Sequence, residues 1–254
     1  MRVIIHLAYY AFLESWRNYF PWISGVVLAL AYYFSVFIAS ISLTESMENQ
    51  RIFLAASLNV FILLLSTFYL VAGIHREAQD KAQEFILANP IRRYQYFFSK
   101  LLMSSILAGC LIIPSSMLMW WVSSFEMAVY WALGLYFEVQ LVLLVAVIFA
   151  LNFSHIAMSL LATMSFWLLS RVMPFIQGLG DSLFVENASS WQKISHYFMD
   201  FIALVLPKMD VFLQSKWLLD GGELPAISSM LSEFLLYLIL LISVGLYDFY
   251  RKVI

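Results

Sequence analysis

Three ionisable residues interrupt otherwise apolar stretches of this 254-residue chain: Glu138, Arg171 and Glu233. An ionisable side chain at membrane depth is costly unless a partner or water meets it, so each is a candidate for substrate contact, gating or an internal ion pair. Counted along a helix at about 1.5 Å per residue, Glu138 falls roughly 16 Å from the outer end of its stretch, Arg171 about 7 Å and Glu233 about 10 Å. Arg171 and Glu233 are thus close in depth, and a bridge between them would tie the fifth and sixth helices together. Glu138 is deeper and is expected to face water or a polar neighbour such as Gln140.

Other chemistry is sparse. None of the nine glycines opens the G-x-x-x-x-G-K-[ST] cradle that wraps nucleotide phosphates. The chain therefore needs no cofactor of its own, and energy for active transport would come from a partner chain or an ion gradient. His6, His75, His155 and His196 are scattered and form no H-E-x-x-H pair, and the G-x-S-x-G nucleophile turn is absent. The single cysteine, Cys110, excludes an intrachain disulfide and a cysteine metal cluster. Methionines such as Met117, Met119, Met158 and Met164 read as adaptable packing in an apolar bundle rather than copper ligands. Asn187-Ala188-Ser189 matches a glycosylation tripeptide, to which no role is assigned. A net charge of −2 offers no basic excess for nucleic acid.

The elements that must position these residues follow from composition. Apolar residues make up 63 % of the chain and charged residues only 12 %, too few charges to solvate the surface of a soluble globule. A bilayer core takes roughly 20 apolar helical residues to cross. Six windows qualify: Trp22–Leu43, Ile52–Ile74, Leu101–Val122, Met127–Leu151, Ile156–Ile176 and Ala226–Tyr247. Continuous runs of this length are helices, because a barrel strand alternates over about 10 residues. The expected fold is all-α: a polytopic membrane protein with six transmembrane helices in one domain spanning 1–254.

Orientation follows from Lys and Arg, which cytoplasmic loops retain. With the N-terminus inside, Arg2, Arg17, Arg76, Lys81, Arg92, Arg93, Lys100, Arg251 and Lys252 are cytoplasmic. Arg51, Lys193, Lys208 and Lys216 are external, and Arg171 completes the 14 Lys+Arg. Both termini are then cytoplasmic, in a cell membrane of the bacterial inner or plasma type. Residues 1–20 carry one early Arg2 and no small-residue cleavage site, so they read as an interfacial helix broken by Pro21 rather than a cleaved signal.

Two connections are long. The inner one, His75–Lys100, is the most densely charged part of the chain. Ala78, Ala82, Phe85, Ile86 and Asn89 follow helical spacing opposite Glu77, Asp80, Lys81 and Glu84, and Asn89-Pro90 stops the helix. The expectation is a short amphipathic helix over 75–90. Its ridge of Phe85, Ile86 and Leu87 is flanked by Glu77 and Glu84, the anatomy of a protein-docking surface. Arg92, Arg93 and Lys100 read as positive-inside anchors. The outer connection, 177–225, is too interrupted to span and too apolar for a free loop. A re-entrant or interfacial hairpin kinked at Pro207, with Trp191 and Trp217 as interface anchors, is expected there.

The stretch "REAQDKAQEFILANPIRRYQYFFSKLL" after the second span resembles the signature of the ABC-2 family of ABC-transporter permeases. Glu77, Glu84, Phe85, Ile86, Leu87, Pro90, Ile91, Arg93, Lys100, Leu101 and Leu102 fall in register. The family's Gly-Thr is replaced by Lys81-Ala82, and Gln79 stands where a second acidic residue is common. The likeness extends to an N-terminal interfacial helix, six spans, an external "LPKMDVF" and a terminal "YDFYRKVI". It implies an exporter permease that dimerises with a second copy or a related permease. Through Arg76, Glu77, Lys81, Glu84, Phe85, Ile86, Leu87, Pro90 and Arg93 it would dock a separate ATP-binding subunit, which would hold ATP and Mg. The chain itself would be non-catalytic. The alternatives are a secondary transporter with Glu138 or Glu233 as proton site, an intramembrane enzyme, and a structural subunit of a secretion or motility assembly.

Overall fold

The structure, a computed structural model, describes residues 2–17, 19–41, 46–80, 93–183, 197, 199–203, 205–212 and 227–251. Seven long α-helices are present among them: α1 Arg2–Arg17, α2 Phe20–Ile41, α3 Ser46–Gln79, α4 Arg93–Val122, α5 Phe125–Asn152, α6 Ile156–Leu183 and α7 Ile227–Arg251. Six, α2 to α7, are long and apolar enough to cross a membrane. No strand occurs among the described residues. The chain is an all-α, multi-pass membrane protein. Several hydroxyls inside the apolar helices are satisfied by their own backbone, as where Ser66 donates to the Ile62 carbonyl at 2.6 Å and Thr163 to Ser159 at 2.7 Å.

Helix α5 is the axis of the bundle. It packs against α3, α4, α6 and α7, and every side chain from Glu138 to Val147 is buried. Its sequence is apolar on all sides, and such a helix belongs in the middle of a bundle rather than at its rim. Ser124 caps its start by accepting from the Met127 amide at 3.3 Å. Helix α2 is its opposite, mostly exposed and seated chiefly on α3.

The break between α1 and α2 is made at Tyr19, whose φ of 60° is left-handed. Pro21 lies in the first turn of α2, where its missing N–H has no helical partner to lose. It therefore admits the helix rather than breaking it. Helix α1 folds back along α4, burying Ala8 and exposing Tyr9, Tyr10 and Trp16.

Helix α3 is about 50 Å long at 1.5 Å per residue. It runs unbroken to Gln79, so residues 75–79 continue the second span and do not start a separate helix. Lys81, Glu84, Phe85, Ile86, Leu87 and Pro90 of the expected docking helix lie outside the described residues, while Arg93 opens α4. Likewise residues 177–183 belong to α6 rather than to the outer connection, and Trp191 and Trp217 lie outside the described residues.

Within that connection, Leu206, Pro207, Met209 and Phe212 are buried against the bundle, while Val205 and Lys208 are exposed. Met209 and Phe212 are fully buried in one cluster with Leu63, Leu141, Trp167 and Tyr237. The Tyr237 hydroxyl donates to the Leu206 carbonyl at 2.9 Å, and the backbone of Phe212 rests directly on Gly134. Any side chain at position 134 would collide with that carbonyl, so only glycine allows the segment to seat there.

Candidate functional site

The charged groups inside the bundle meet at Glu138 on α5. Its side chain is fully buried, and N–H donors from two other helices converge on its carboxylate. From α6, Arg171 Nη1 lies 2.9 Å from Oε1 and 3.0 Å from Oε2, and Trp167 Nε1 donates to Oε1 at 2.8 Å. From α3, Asn59 Nδ2 donates to Oε2 at 3.4 Å. Trp167 and Arg171 are four residues apart and so share one face of α6. A carboxylate can accept about four hydrogen bonds, and these contacts fill that capacity. The Oδ1 atom of Asn59 is buried with no hydrogen-bond partner among the described residues.

This arrangement corrects the expected Arg171–Glu233 bridge. Arg171 is joined to Glu138, and Glu233 enters no ion pair among the described residues. Depth explains the change. Helix α6 continues to Leu183, beyond the apolar window that ended at Ile176. Arg171 therefore stands about 18 Å from the end of α6, and Glu138 about 20 Å from the start of α5, at the same end of the bundle. The guanidinium also spans the gap between helix axes. Glu138 accordingly does not face water, and Gln140 does not contact it; Gln140 instead accepts from Ser105 at 3.1 Å.

A second charged cluster sits where α3 ends and α4 begins. Lys100 Nζ forms an ion pair with Glu77 Oε1, and the Tyr96 hydroxyl donates to Glu77 Oε2 at 2.9 Å. The Lys100 side chain is only 5 % exposed and that of Glu77 18 %. Lys100 is thus no headgroup anchor, and Glu77 does not offer itself to a partner surface, because each neutralises the other. The Tyr96 ring stacks on Phe249 of α7 at 6.1 Å between centroids. Arg76, by contrast, is half exposed and bridges to Glu14 of α1 at 3.1 Å. At the same end Asn152 of α5 donates to Asp248 of α7.

Among the described residues no three His, Cys, Asp or Glu side chains converge as a metal site would need. What both clusters can do is fix helices against each other: α3, α5 and α6 at Glu138, and α1, α3, α4 and α7 at Glu77 and its neighbours. Asn59, Trp167, Tyr96 and Gly134 were not singled out from the sequence. The four-residue spacing of Trp167 and Arg171 and the lone amide of Asn59 in an apolar span were the available signals. No protein-family model matches this chain, and no curated protein matches it at a significant level.

Proposed function

We propose that this chain is the membrane-spanning permease subunit of an ATP-driven ABC exporter of the ABC-2 type, working with a separate ATP-binding subunit and a second permease copy or relative. The reading is supported by the family-like signature from Arg76 to Leu102 and by six membrane-length helices behind an amphipathic α1. The observation that carries it is the setting of the 81–92 segment. It joins the ends of α3 and α4, which are locked together by Glu77, Tyr96 and Lys100 and held to α1 by Arg76 and Glu14. A charged segment grafted on a stiffened corner is suited to receive a push from a partner and pass it on as rigid-body movement.

In this reading, ATP and Mg bind the partner, whose closure displaces the 81–92 segment. The spans then rock, and a pathway between two permeases changes the side to which it opens. Segment 205–212 occupies the end of the bundle away from the docking corner. The membrane is the bacterial inner or plasma membrane, with both termini and the docking corner in the cytoplasm.

The test is biochemical. Expressed with its neighbouring genes, the tagged chain should recover an ATP-binding subunit, and ATP hydrolysis should follow that subunit. Glu84→Arg and Phe85→Ala should reduce recovery of the ATPase while membrane insertion stays normal. ATP turnover by the purified chain alone, or full ATPase recovery by both variants, would overturn the reading.

A further inference from the structure

We propose that the groove between α4 and α5 holds one acyl chain of a bilayer phospholipid, seated in the leaflet at the Trp120–Phe125 end of the bundle; the site stands apart from the permease reading. The groove is a cavity of about 440 Å³, within the roughly 300–1,000 Å³ of ligand pockets. Six residues of α4, from Gly109 to Trp120, and six of α5, from Phe125 to Tyr136, line it. In both sets the residues recur at spacings of three, one, three, one and three, so one face of each helix is used over three turns. None of the twelve is charged.

The hollow comes from small side chains. Gly109, Ser116, Ala128 and Ala132 leave space between the two helices, and a side chain added at Gly109 would meet no atom within 4 Å. Ile113, Met117, Phe125 and Val129 stand exposed along the rims, so the groove opens sideways, toward lipid. The Ser116 hydroxyl donates to the Ile113 carbonyl at 2.7 Å and asks nothing of an occupant. Such a lining favours hydrocarbon over a polar ligand, whose hydrogen bonds would go unmet.

Length identifies the occupant. From Gly109 to Trp120, and again from Phe125 to Tyr136, the helix rises about 16 Å. A hydrocarbon core about 30 Å thick gives one leaflet half that depth, so the groove runs from the membrane surface to the midplane. At its mouth Trp120 meets Phe125 with ring centroids 5.6 Å apart, at the level where aromatic side chains face lipid headgroups. Spread over its length, the volume gives a channel roughly 6 Å wide, whereas a helix with its side chains measures about 10–12 Å across. A neighbouring helix therefore cannot lie in it, and a single extended chain can. Chain and walls then gain the dispersion contacts that an unfilled hollow lacks.

The experiment reconstitutes the purified chain in phosphatidylcholine vesicles containing a phosphatidylcholine with a photoactivatable diazirine in one acyl chain. The protein is extracted into detergent, freed of loose lipid by size exclusion, irradiated and mapped by peptide mass. A held chain should label residues 109–136: a diazirine near the ester should mark Trp120 and Phe125, and one at the terminal methyl Gly109 and Tyr136. Gly109→Leu and Ser116→Leu fill the groove at different depths, and each should reduce that label to background with an unchanged elution profile. No label on 109–136 of the unmodified protein would overturn the proposal, the lipid there being merely annular. Undiminished label in either folded variant would also overturn it. So would disulfide-linked dimers of Met117→Cys in a Cys110→Ser background, oxidised in the vesicles, because a second copy would then cover the groove. Should a variant misfold, the unmodified chain decides alone: label at both depths from either probe would overturn the site.

Discussion

At the scale of single residues, the bundle's central problem is a carboxylate with no water. Burying Glu138 is costly, and the cost is offset only while its donors are in place. Removing one partner is therefore worse than removing both. Arg171→Ala should destabilise the protein by about 3 kcal/mol, the low end for a broken buried pair, because Arg171 itself is 30 % exposed. Arg171→Ala combined with Glu138→Leu should recover most of that loss. Trp167→Phe should cost roughly 1.5–3 kcal/mol, the range for a hydrogen bond to a charged group. Glu233→Ala should stay within about 0.5 kcal/mol, because Glu233 is only half-buried and enters no ion pair among the described residues. Thermal unfolding in detergent measures all four together with Glu138→Leu alone, and additive losses for Arg171 and Glu138 would exclude the pairing. The sequence revealed that Glu138 and Arg171 needed partners, because apolar surroundings make that demand plain. It did not reveal which partners, because depth was counted along apolar windows while helices continue through polar residues such as Gln177 and Asp181.

At the scale of elements, the six spans were legible because hydropathy over about 20 residues is a strong signal, and each window overlaps a helix of the structure. Their ends were less so. Residues 75–79 extend α3 since nothing before Asp80 breaks a helix, and amphipathic spacing alone does not tell a new helix from the tail of an old one. Lys100 reads as an anchor and Glu77 as a docking contact in the sequence, because a sequence shows no pairing across 23 residues. Gly134 carries the clearest element-scale prediction. Its missing side chain admits the Phe212 backbone, so Gly134→Ala must push residues 209–212 off α5. Overpacking of this kind typically costs about 1–3 kcal/mol. With Cys110→Ser and Phe212→Cys, labelling by a membrane-impermeant maleimide should rise on adding Gly134→Ala. Equal labelling would mean that the segment is held without that seat.

For the whole molecule, an even number of spans puts the two ends of the chain on one side of the membrane. The bundle agrees with this. Glu14 of α1 meets Arg76 at the end of α3, Tyr96 at the start of α4 stacks on Phe249 near the end of α7, and Asn152 reaches Asp248. The N-terminal helix, the end of α3, the start of α4 and the end of α7 therefore share one end, while Arg51 bonds the Val122 carbonyl at the other. Among the described residues, Arg17, Arg76, Arg93, Lys100 and Arg251 lie at the first end and Arg51 and Lys208 at the second, so the first should be cytoplasmic. The bias survives the burial of Lys100, because the four others at that end still exceed the two. Single cysteines placed at position 10, at position 88 and at position 250 in a Cys110→Ser background should stay unlabelled by an impermeant reagent in intact cells. A cysteine at position 190 should label. Labelling at position 88 with protection at position 190 would invert the protein and remove the 81–92 segment from any contact with a cytoplasmic ATPase.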